Sequence, residues 1–88
     1  MPVSVPIDPD LHRAIDRALA GDWTAAHEIV QAREGDTMAD WIHAVVHRHE
    51  GDLGNARYWY GRCGRPLPEA LAIADELRAI RARLDAPA

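Results

Sequence analysis

Lysine and phenylalanine are missing from this 88-residue chain, and cysteine occurs once. Without lysine, all ten positive charges are arginines, interspersed with fourteen acidic residues for a net charge of −4. Such a balance offers no basic patch of the kind that nucleic acid or an anionic membrane requires, so neither is expected as a partner. The single cysteine, Cys63, excludes an intrachain disulfide and the multi-cysteine zinc motifs. Without phenylalanine, aromatic packing falls to three tryptophans and two tyrosines. No apolar run approaches the ~20 residues that span a bilayer. The opening MPVSVPIDPD lacks the basic and apolar regions of a secretory leader, so a cytoplasmic location is expected. Also lacking are a phosphate-cradling glycine loop and a Gly-x-Ser-x-Gly elbow. A chain this short hides only about 60–65% of its unfolded surface and has little room for an enclosed active site of ~300 Å³. No catalysis and no cofactor are expected.

What is present is a helical domain. The apolar share of 48% and charged share of 27% fit a folded globular chain rather than a disordered one. Alanine, the best helix former, is the commonest residue. Residues 21–30 read GDWTAAHEIV and residues 51–60 read GDLGNARYWY. Both follow Gly-Asp-apolar-x-x-Ala-x-x-apolar-apolar, offset by 30 residues. Gly21, Gly35, Gly51 and Gly64 stand where helix ends need a left-handed residue. Asp8 before Pro9, Asp22, Asp36 or Thr37, and Asp52 are each placed to cap a helix that starts there.

This punctuation predicts five helices near 9–20, 22–34, 37–50, 53–63 and 68–85. Connections of two to four residues predict antiparallel neighbours. Each helix carries one apolar face: Leu11, Ala14, Ile15 and Ala18 in the first; Trp23, Ala26, Ile29 and Val30 in the second; Trp41, Ile42, Val45 and Val46 in the third. Leu53, Ala56, Trp59, Tyr60 and Cys63 cluster in the fourth, and Ile73, Leu77, Ile80 and Leu84 form a narrow seam in the fifth. No stretch alternates with period two, so no sheet is expected.

Helical hairpins in which Gly-Asp-aromatic-x-x-Ala opens the second helix resemble tetratricopeptide-type repeats. Gly51, Asp52, Ala56, Tyr60, Cys63 and Pro68 carry the likeness in one unit, and Gly21, Asp22, Trp23, Ala26 and Val30 in the other. The resemblance implies an all-α fold of five antiparallel helices. Hairpin one would occupy 8–35, hairpin two 36–65, and a capping helix 68–85, in a single domain 8–86 after an extended tail 1–7. It also implies a protein-interaction scaffold without catalysis. The run 41–65 is further similar to a stretch in small bacterial proteins, a likeness that brings no function with it.

Two sets of residues are candidate sites. The first is a partner surface. Trp41, Val45 and Arg48 lie on the face that tetratricopeptide-like stacks turn to their groove, where Arg48 would suit a peptide carboxylate. The alternative is that the fifth helix fills that groove, with Arg48 paired to Glu50 or Asp52. Tyr58 projects outward near Arg57 and Arg62, the residue types of interface anchors. The partner would be another protein or peptide.

The second set is metal-ligating. His43 and His47 are four apart on the third helix, so two imidazoles could share one ion, with Asp40 or Glu50 as a further ligand. The plainer alternatives are a solvated polar face opposite Trp41 and Val45, or a pair turned towards the fourth helix near Ala56 and Tyr60. His49 projects onto the apolar arc as a half-buried residue, while His12 and His27 are expected at the surface. Cys63 reads as an inert core thiol. The apolar seam of the fifth helix is expected to cap the domain within one chain, with a weak homodimer as the other use.

Overall fold

Three aspartates start three of the helices. A computed structural model describes residues 8–86, so the expected tail 1–7 lies outside the described residues. The helices are α1 (Pro9–Leu19), α2 (Trp23–Gln31), α3 (Thr37–Glu50), α4 (Leu53–Arg62) and α5 (Ile73–Asp85). Helix makes up 72% of the described residues, and no strand occurs among them. The Asp22 carboxylate accepts from Ala25 N at 3.2 Å, that of Asp36 from Met38 N and Ala39 N, and that of Asp52 from Asn55 N at 3.3 Å. Each satisfies amides that the first helical turn leaves unpaired.

The 30-residue sequence repeat is a structural repeat in its details. Gly21 and Gly51 adopt φ of 88° and 80°. Asp22 N bonds to Arg17 O and Asp52 N to His47 O, so both preceding helices close in the same left-handed glycine turn. Ala26 and Ala56 are fully buried, as is Val30, and Tyr60 is almost so.

The central element is α3, which packs against every other helix. It buries Trp41, Ile42, Ala44, Val45 and Val46, and also Asp40 and His43 on the side opposite Trp41 and Val45. The solvated polar face is therefore absent at these two positions, because α2 and α4 cover what α1 and α5 do not. Helix α5 lies on α1 and α3. Its Leu77, Ile80 and Leu84 enter the common core, so the apolar seam is buried within the chain.

Three boundary details differ from expectation. The last helix begins at Ile73, not at 68. Residues 65–72, including Pro66 and Pro68, instead form a non-helical strap whose Leu71 carbonyl accepts from the Arg48 guanidinium. Asp8 occupies the cap position of α1 but makes no capping bond. Its carboxylate takes a bidentate pair from Arg33 at 2.9 and 2.8 Å, which holds the acid below its ordinary range. The second helix ends at Gln31, not at 34, while α3 is capped by Asp36, one of the two caps expected there.

Candidate metal centre

Arg48 and Trp41 do not face an open groove. Trp41 is 6% exposed and Val45 is fully buried, while Trp41 and Arg48 are held by α5 and its strap. The residue that closes the groove is Glu76, in the first turn of α5. Although a carboxylate, it is only 2% exposed. Trp41 Nε1 donates to it at 2.9 Å, Arg48 at 2.9 Å, and the Tyr60 hydroxyl at 2.8 Å. Burial, and then the hydrogen bond and charge of Glu76, raise the Tyr60 phenol far above its ordinary range. Arg48 thus pairs with Glu76 rather than with Glu50 or Asp52. Sequence periodicity places Glu76 beside the apolar seam and gives no reason to bury it.

The outward face of α4 remains open. Tyr58 is 54% exposed and Leu53 43%. Arg62 donates to the Tyr58 hydroxyl at 3.0 Å, and its guanidinium carbon lies 5.6 Å from the Trp59 ring centroid.

A histidine cluster lies between α2 and α3. One turn of helix separates His43 from His47, so their rings stack with centroids 5.0 Å apart. The third member is His27 of α2, expected at the surface but half-buried here. Its position directly after the inward Ala26 turns the ring onto α3. His27 Nε2 lies 3.1 Å from His43 Nε2, and the His27 ring meets both others edge-on. One nitrogen from each of the three rings lies within 4.8 Å of the other two. Trp59 of α4 lies flat on His43, with centroids 3.9 Å apart and planes 15° apart. His43 is therefore turned towards the fourth helix.

The other two expected ligands are elsewhere. The buried Asp40 carboxylate accepts from Gly35 N at 3.2 Å, at the start of α3. Glu50 is half exposed, and its nearest approach is 3.6 Å to His47 Nδ1, too long for a hydrogen bond. Facing side chains on the neighbouring helix, not carboxylates along α3, complete the cluster. His49 also differs from expectation: it lies beyond the core and is exposed, stacked on Trp23 at 4.1 Å. Cys63 is half-buried, and burial raises its thiol pKa, as an inert thiol requires.

The electrostatics at His43 favour a neutral ring. Burial, then the charges that His27 and His47 would carry, push His43 down to about 4. At neutral pH a close pair of imidazoles needs one nitrogen to donate and the other to accept. The Nδ1 atoms of His43 and His47 are buried without a hydrogen-bond partner. Imidazole lone pairs are what a divalent transition metal binds. Comparison with known proteins finds no matching family model, no matching curated protein and no matching solved structure.

Proposed function

We propose that the protein is a small helical metal-binding domain, holding a divalent transition metal of the zinc class through His27, His43 and His47. The observation that supports this reading is the convergence of three ring nitrogens within 4.8 Å. In a tetrahedral site with bonds of about 2.05 Å, ligand nitrogens stand roughly 3.3 Å apart. The His27–His43 separation of 3.1 Å is close to that edge. A modest rotation of His47 would complete the set. Because His43 is neutral at pH 7, no proton has to be removed from it before it ligates.

Calorimetric titration with Zn²⁺ tests the reading. One ion per chain should bind, and the melting temperature should rise with free Zn²⁺. His27→Asn and His47→Asn should each abolish the effect while leaving a cooperative melt. Wild-type protein that melts identically with Zn²⁺ and with EDTA would mean that the three rings are a packing feature alone.

A second reading, a protein-interaction module, is supported by the outward face of α4. Tyr58, Leu53 and Arg62 there are exposed, and tyrosine and arginine are frequent anchors of interfaces. The likeness to tetratricopeptide repeats favours the same function, with another protein or peptide as partner. The groove residues Trp41, Val45 and Arg48 take no part in this version. Affinity capture with wild-type protein and with Tyr58→Ala/Arg62→Ala tests it. A partner retained equally by both would remove this face from consideration.

A further inference from the structure

We propose that the metal held by His27, His43 and His47 keeps one coordination position open to an exogenous anionic donor, such as a small carboxylate or a pseudohalide. The inference rests on the metal-binding reading and adds what the bound ion does there. Three imidazoles are neutral ligands, so the ion retains its full double charge. A tetrahedral ion needs a fourth donor. Among the described residues, the cluster of closely placed ligand atoms ends at these three histidines.

The nearby acidic and thiol groups have other placements. Asp40 is tied to the Gly35 amide, and Cys63 donates towards Tyr60 O at 3.4 Å. Glu50 is half exposed and stands 3.6 Å from His47 Nδ1, beyond hydrogen-bond reach and outside the group of converging ligand atoms. Access is one-sided. Trp59 covers His43, which is 2% exposed, whereas the His47 side chain is 12% exposed and His27 is half-buried. The open position faces the His27–His47 edge, where an anion displaces water from the ion.

The experiment uses Co²⁺ as the metal and azide as the anion, read by visible ligand-field absorption of the whole chain. Wild-type protein should develop Co²⁺ bands. Azide should convert them to a second spectrum that saturates at one anion per ion. Linkage then requires Co²⁺ to be held more tightly in azide, by about tenfold at an azide concentration ten times its Kd for the loaded site. Glu50→Gln should respond to azide in the same way, and His27→Asn should lose the bands while still melting cooperatively. If no Co²⁺ bands form, the metal-binding reading fails and takes the proposal with it. If the bands form but ignore azide, the metal site stands and the open position is wrong. An azide response confined to Glu50→Gln makes Glu50 the fourth ligand and also overturns the proposal.

Discussion

The hydroxyl of Tyr60 in α4 donates to the carboxylate of Glu76 in α5 at 2.8 Å, in a place almost closed to solvent. Trp41 and Arg48 of α3 donate to the same carboxylate. One acidic side chain therefore ties three helices together. Glu76→Ala should destabilise the protein by about 3 kcal/mol, since it strands the largely buried Arg48 charge and two polar donors. Tyr60→Phe should cost only about 1 kcal/mol, because the carboxylate keeps its other two donors. Urea unfolding followed by circular dichroism measures both. Equal losses would show that the three donors do not act on a shared acceptor.

The two repeat alanines provide a test of close helix packing. Ala26 and Ala56 are fully buried. Ala26→Leu and Ala56→Leu should each cost about 1–3 kcal/mol through overpacking. Gly51→Ala should cost about 1 kcal/mol for a different reason: a φ of 80° is strained for a residue with a Cβ. Chemical denaturation of the three variants measures these losses, and a neutral result at both alanines would contradict close contact there.

Local signals in the sequence are strong where one residue decides one structure. Aspartate caps and left-handed glycines mark where α2, α3 and α4 begin or end, and the 30-residue offset pairs Ala26 with Ala56. The start of α5 is not legible, because it depends on Arg48 holding the Leu71 carbonyl 23 residues away in sequence. The same holds for Glu76, whose burial depends on three donors that only the folded chain brings together. At the histidine site, the spacing of His43 and His47 is visible along one helix. His27 is not, since its role depends on which face of α2 meets α3. Its one local signal is the adjacent inward Ala26, which marks a close helix approach.

Acid should weaken the metal-free protein through His43. Its folded-state pKa is pushed down to about 4, against an ordinary value of 6.5. Between these values the unfolded chain binds a proton that the folded chain refuses. The stabilisation is therefore complete above about pH 6.5 and is lost as pH falls towards 4. From pH 7 to pH 5 the loss should be about 2 kcal/mol. Urea titrations in EDTA at the two pH values measure it. His43→Gln should flatten this part of the profile, and an unchanged slope in that variant would place the acid sensitivity elsewhere.

The seam of α5 makes the last test one of chain against chain. Leu77 is 1% exposed and Ile80 fully buried against α1 and α3. Each such side chain contributes roughly 1.5–3 kcal/mol when buried. An intramolecular helix gains that without the ~4 kcal/mol or larger cost of bringing two chains together. Leu77→Asp places a carboxylate among apolar side chains with no cation assigned to it, so the variant should lose cooperative unfolding altogether. Wild-type protein should sediment as a monomer, since the surface that a two-helix dimer would use is already covered. A wild-type dimer that Leu77→Asp converts into a folded monomer would instead mean that α5 departs from this packing in solution and seals a joint between two chains.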